Sequence, residues 1–168
     1  MIDNSDLQQL TLAKRTIEEV FQLETLLMEP SDILKISTLI CILPKGPVML
    51  ERNMNLTFLP FAENDTEEIK LLQFFSILPG TTMDVVDEKL KDALLHISHR
   101  TALGNFSINN GSEIAIRYVY PISKKHGISP SQFAEVLSLF LITLDLFSVK
   151  LRDFANGSIT FDDILNDV

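Results

Sequence analysis

The feature that most constrains this sequence is a long helical segment near its end that is apolar around almost its whole circumference. Ser129 and Pro130 suit the N-cap and the first helical position, and Asn156 with Gly157 is typical of a helix end, so a helix is predicted over 131–154. A helix that covers one face of a sheet needs only one apolar stripe. The excess of apolar residues therefore predicts a second partner surface.

Two interpretations of this excess stay open at the level of the sequence. The helix is buried beneath another helix of its own chain, or it forms an interface with a second subunit or a client polypeptide. For the second interpretation we predict a homodimer in which Leu144 is exposed in the monomer and buried between subunits. The residues predicted to form the interface are Phe133, Val136, Leu137, Phe140, Leu144, Phe147 and Leu151.

The first half of the chain alternates between helical and extended patterns. Apolar positions spaced three and four apart from Leu10 onward predict a helix that ends before Pro30. Two extended runs, over 33–43 and 48–59, predict a hairpin. The apolar run 69–78 fits both the helical and the strand period, and its aromatic and β-branched residues before a Pro-Gly pair favour a strand.

The second half repeats this alternation. Thr82 is predicted to cap a second helix that Gly104 closes. Apolar residues over 106–108, a turn at 109–111 and an alternating run over 114–120 predict a second hairpin. After the long helix, a short acidic helix is predicted to end the chain.

The resulting order, α-βββ-α-ββ-α, predicts an α+β fold. We expect a five-stranded antiparallel sheet with the helices packed mainly on one face. A length of 168 residues is typical of one domain, so a single domain over 1–168 is predicted.

Charge and composition exclude several classes of partner. The chain carries 23 acidic and 14 basic residues, and its longest basic cluster is the pair Lys124 and Lys125. A net charge of −9 repels phosphate backbones and anionic lipid surfaces, so neither a nucleic acid nor a membrane is a predicted partner. The single cysteine, Cys41, lies among apolar residues, which predicts buried packing and a reducing, cytoplasmic location.

The strongest candidate for chemistry is a small polar cluster on the second helix. His96 and His99, with Asp92 one turn earlier, could share a helix face and hold a metal. A zinc site needs three or four ligands, and His126 lies in a separate loop, so surface histidines are the favoured interpretation. No phosphate-binding loop or nucleophile elbow is present in the sequence. We therefore predict no catalytic residue, metal or cofactor and no enzyme activity; the alternative is a small enzyme with a pocket near this cluster.

Four segments carry a resemblance to a known family. They are Gly104-Asn-Phe-Ser-Ile108, Glu113-Ile-Ala-Ile-Arg-Tyr-Val-Tyr-Pro121, Ser129-Pro-Ser-Gln-Phe133 and Leu144-Asp-Leu-Phe147. In this order they resemble the carboxy-terminal half of YbjN-type bacterial proteins, which share the fold of type III secretion chaperones. The resemblance, which in outline covers most of residues 5 to 155, implies an acidic, cytoplasmic, non-catalytic protein. It also implies that the protein dimerises and binds segments of another polypeptide.

Overall fold

A computed structural model describes residues 4–31, 35–60, 66–82 and 88–166 of the chain. It has an α+β fold with an open, antiparallel, six-stranded sheet in the order β1-β2-β3-β4-β6-β5. The elements in chain order are helix α1 (Asn4–Thr16), a π-helical turn (Ile17–Phe21), strands β1 (Thr25–Met28), β2 (Thr38–Leu43), β3 (Arg52–Phe58) and β4 (Ile69–Ile77), helix α2 (Glu88–Arg100), strands β5 (Asn105–Asn109) and β6 (Glu113–Ser123), and helices α3 (Pro130–Ala155) and α4 (Phe161–Asn166).

The α+β class and most of the predicted elements are confirmed. The ambiguous run 69–78 is strand β4, and the second hairpin is β5 with β6. The turn of that hairpin places Asn110 and Gly111 at φ 48° and 76°, the left-handed region that these two residues tolerate best. Helix α3 begins at Pro130 and ends before Gly157, as predicted.

The prediction of a five-stranded sheet is wrong because the first helix does not continue to Pro30. It ends in the π-helical turn, and Gln22 then takes up a left-handed conformation with φ 54°. The next residues form β1, which pairs with β2 so that Leu26 lies opposite Ile40. Short apolar runs satisfy helix and strand periods alike, and here pairing with a neighbouring strand decides the outcome.

Some predicted boundaries lie outside the described residues. These are the start of the strand predicted from residue 33, residues 63–65 in the acidic connection between the runs 48–59 and 69–78, and the first turn after Thr82. Helix α2 as described runs from Glu88 to Arg100, so Gly104 belongs to the connection that follows rather than to the helix end. The packing of the helices mainly on one face and the single domain over 1–168 stay predictions.

The described chain divides into two compact units. The first contains α1, the π-helical turn, β1 and β2, together with 53–58 of β3, 69–74 of β4, 119–123 of β6 and 130–138 of α3. An aromatic group forms part of its core. Phe74 packs against Phe133 with ring centroids 5.8 Å apart and meets Tyr120 edge to face at 6.5 Å.

The second unit contains α2, β5, α4, 113–118 of β6 and 139–155 of α3, with the loop 44–52. In its core the ring of Phe106 on β5 packs edge to face against Phe147 of α3, at a centroid distance of 5.6 Å. Thr81 extends the hydrogen bonding past the end of β4. Its buried hydroxyl donates to the Leu78 carbonyl at 2.7 Å and accepts from the Ile114 amide at 3.1 Å, so neither backbone group is left unsatisfied.

Candidate functional site

The apolar residues of α3 divide into a buried stripe and an exposed stripe. Six of the seven residues predicted to form an interface are buried in the chain's own core, and Val136 is half-buried. Leu144 is 0% exposed within a single chain, which corrects the expectation that it is exposed in the monomer. These side chains are committed to the core of the protomer itself.

The exposed stripe of α3 consists of Leu139, Ile142 and Leu146. Their exposed fractions are 51%, 60% and 62%, and the spacing of three and four places them in one line along the helix. This stripe could not be predicted from the sequence, because a helix that is apolar all round does not reveal which side faces solvent. Three large apolar side chains in line form a surface suited to another polypeptide.

An ion pair neutralises the carboxylate that adjoins this stripe. Asp145 lies on α3 between Ile142 and Leu146, and it accepts a hydrogen bond from the guanidinium of Arg52. The Arg52 side chain is almost fully buried and also donates to the Pro44 carbonyl. Covering the stripe therefore does not require the desolvation of an unpaired carboxylate.

A second candidate surface is a groove between α2 and β5. Its volume is about 340 Å³, and its mouth exposes Leu95, which is 71% exposed. All lining residues belong to the second unit: Lys91, Leu94, Leu95, Ser98, Asn105, Phe106, Ser107 and Ile108. The groove is apolar with a few polar groups, which is typical of binding sites.

Strand β5 lines one wall of this groove and is an edge strand of the sheet, so one side of its backbone is not paired with another strand. The Ser98 hydroxyl of α2 accepts from the Phe106 amide at 2.9 Å and donates to the Phe106 carbonyl at 3.3 Å. The amide and carbonyl of Phe106 thus point away from β6 and are capped by a side chain. Such capping is one way in which proteins protect a sheet edge.

A third apolar surface lies on one face of β1 and β2 in the first unit. Leu26 and Met28 are exposed, and so is Ile42, two residues beyond the Ile40 that pairs with Leu26. Alternation along the strands places all of them on the same face.

The three side chains of the polar cluster on α2 differ in their exposure. His99 and Asp92 are exposed, and His96 is half-buried with a buried Nε2 that has no hydrogen-bond partner among the described residues. Within the same part of the chain, no group of three or more His, Cys, Asp or Glu side chains could hold a metal ion.

Cys41 is buried on β2, and burial raises the pKa of its thiol from 9.0 to about 12. At pH 8 the thiolate fraction of the native protein is then about three orders of magnitude below that of the unfolded chain. We expect iodoacetamide to alkylate Cys41 slowly in the native protein and quickly in urea, as measured by mass spectrometry over time. Equally fast alkylation in both states would contradict the burial of Cys41.

Because the folded state holds the thiol proton of Cys41 more tightly than the unfolded chain does, the free energy of unfolding is expected to fall as pH rises from 9.0 towards 12.

None of the helices in the described ranges has the length and apolar character needed to cross a bilayer. Comparison with protein-family models, with curated proteins and with solved structures finds no match to this chain. The candidate sites are therefore defined by their own geometry.

Proposed function

We propose that this protein is a non-catalytic protein-binding module, a chaperone-like or regulatory adaptor of a bacterial cytoplasm. The observation that carries the proposal is the exposed stripe of α3, Leu139, Ile142 and Leu146. The resemblance to YbjN-type proteins and the net charge of −9, which opposes nucleic-acid and anionic membrane partners, support it. Its partners are a second copy of the chain and another polypeptide.

The homodimer forms across the exposed stripe. A two-fold axis sets α3 against its symmetry mate, with Ile142 at the centre of the contact and Leu139 and Leu146 on either side. Each protomer brings large apolar side chains, and the ion pair of Asp145 with Arg52 removes the charge that would otherwise oppose burial. This contact replaces the buried residues that the sequence analysis had assigned to the interface.

Replacing Ile142 with aspartate is expected to dissociate the dimer without unfolding the protomer. Ile142 is 60% exposed, so the new carboxylate reaches water in the monomer but would face its symmetry mate in the dimer. Size-exclusion chromatography with light scattering should give a molar mass of twice 19.0 kDa for the unmodified chain and of 19.0 kDa for Ile142→Asp.

The matched control is Leu26→Asp, which places the same charge at a similarly exposed position, 57%, on the face of β1. It is expected to remain dimeric. A monomeric unmodified protein at micromolar concentration would contradict the dimer, and so would an Ile142→Asp variant that remains dimeric.

A further inference from the structure

We propose that the groove between α2 and β5 binds an extended segment of a partner polypeptide. The segment pairs with the backbone of Ile108 at the edge of the sheet and places one apolar side chain against Leu95. This proposal rests on the protein-binding function above and names the form of partner that the second surface accepts.

The orientation of the Ile108 backbone follows from its neighbours on both strands. Backbone groups of residues two apart along a strand point the same way, and those of Phe106 point outward to Ser98. Ile108 lies opposite Ile114, whose amide and carbonyl are engaged on the other side of β6 by Thr81 and Leu78. The amide and carbonyl of Ile108 therefore also point outward, into the groove.

The amide and carbonyl of one edge residue are complementary to a carbonyl and an amide in the two peptide units that flank one residue of an extended chain. Ile108 and Ile114 therefore form a non-hydrogen-bonded pair of the ladder, which leaves both groups of Ile108 unused by β6. An extended segment satisfies both groups at once, whereas an apolar small molecule satisfies neither. A volume of about 340 Å³ is at the small end of ligand sites and suits a short segment.

The position of α2 favours a single extended chain over a second copy of this protein. Helix α2 lies along the β5 edge, where Ser98 already contacts Phe106. A second copy would bring its own α2 on its own β5, so the two helices would compete for the same space if the edges approached. A bare extended segment carries no such helix.

The charge of the lining indicates which segment binds best. Lys91 is the charged residue among those that line the groove, and its pair with Glu88, at 2.6 Å, is exposed on both sides. Exposed ion pairs contribute little to stability and exchange partners readily, so the Lys91 ammonium is available to a carboxylate of the segment. We expect an apolar residue flanked by acidic residues to be preferred.

The test uses four capped pentapeptides of sequence Glu-Thr-X-Thr-Glu, with leucine, isoleucine, valine or phenylalanine at X. A glutamate at each end can reach the Lys91 ammonium whether the segment runs parallel or antiparallel to β5. Binding to the isotopically labelled full chain is followed by NMR. We expect saturable shifts of the Ile108 amide and the Leu95 methyl groups, and roughly tenfold slower hydrogen exchange of the Ile108 amide.

Variants of exposed residues identify the surface. Leu95→Lys is expected to weaken binding roughly tenfold or more. Met49→Lys is the matched control, because Met49 is as exposed as Leu95 and lies outside the groove and the proposed dimer contact, and this variant should bind as the unmodified chain does. Lys91→Glu should reverse the preference, so that pentapeptides with lysine in place of glutamate bind more tightly.

Three results would overturn the proposal. The first is no saturable binding of any of the four pentapeptides at low millimolar concentration. The second is binding that Leu95→Lys leaves unchanged. The third is a shift of the Ile108 amide that depends on protein concentration without peptide, which would assign the groove to a second copy. The two failures are distinguishable. If the unmodified chain is a dimer that Ile142→Asp dissociates but binds no peptide, this proposal fails alone, whereas an unmodified chain that is monomeric and binds the peptides contradicts the proposed dimer alone.

Discussion

The substitution Leu144→Asp is expected to leave the chain largely unfolded. Leu144 is 0% exposed in the core of the second unit. Loss of the leucine side chain alone costs about 2–5 kcal/mol, and an unpaired carboxylate in the same place adds a larger penalty. The total approaches the roughly 5–15 kcal/mol by which a domain of ordinary stability is folded. Far-UV circular dichroism and urea titration should show a loss of the cooperative transition.

The matched control for this substitution is Leu95→Asp, at an exposed leucine of helix α2. Leu95 is 71% exposed and lies outside the proposed dimer contact, so its replacement should change the free energy of unfolding by no more than about 0.5 kcal/mol. A folded Leu144→Asp variant that merely dissociates would contradict the structure. It would also restore the hypothesis that this side of α3 is the subunit interface.

The second large effect is expected at the ion pair between the loop 44–52 and α3. Asp145→Ala removes the carboxylate that accepts from Arg52, whose side chain is only 3% exposed. Breaking a fully buried pair costs about 3–5 kcal/mol because a buried charge is left alone. Asp145 itself reaches water, so we expect a smaller cost of about 2 kcal/mol, measured as a shift in the urea midpoint with an unchanged slope.

Two further variants test the cause of this loss. Asp153→Ala removes a carboxylate from a pair whose arginine, Arg152, is 29% exposed rather than 3%, so water can solvate the cation that is left, and the cost should be less than about 1 kcal/mol. Adding Arg52→Met to Asp145→Ala should recover much of the stability, since a buried cation is replaced by an apolar side chain. If the double variant is less stable than Asp145→Ala alone, the lone buried charge is not the cause.

The elements that were predicted well are those whose signals are local. Pro130 and Gly157 mark the two ends of α3, and Asn110 with Gly111 marks the hairpin turn, because these residues fit only a few backbone conformations. Strand β1 was missed because the same residues continue the helical spacing of α1. Only the pairing with β2, from Met28 with Thr38 to Thr25 with Cys41, makes them a strand, and the spacing of residues within the segment does not show this pairing.

The positions of the candidate surfaces could be predicted even less well, because they depend on tertiary structure. The sequence indicated that α3 has more apolar residues than one stripe needs, but it could not say that Phe140 and Leu144 face inward while Ile142 faces solvent. The groove beside β5 requires the strand order and the contact of Ser98 with Phe106. Neither leaves a pattern in the sequence.

The contact of α2 with β5 also bears on how this chain resists aggregation. Strand β5 ends the sheet, and Ser98 occupies the backbone groups of Phe106 that would otherwise be a template for another chain. Transient detachment of α2 would uncover a row of edge hydrogen-bonding groups beside the apolar side chains of the groove. We therefore expect the rate of self-association at high protein concentration to follow the local opening of this one helix rather than global unfolding.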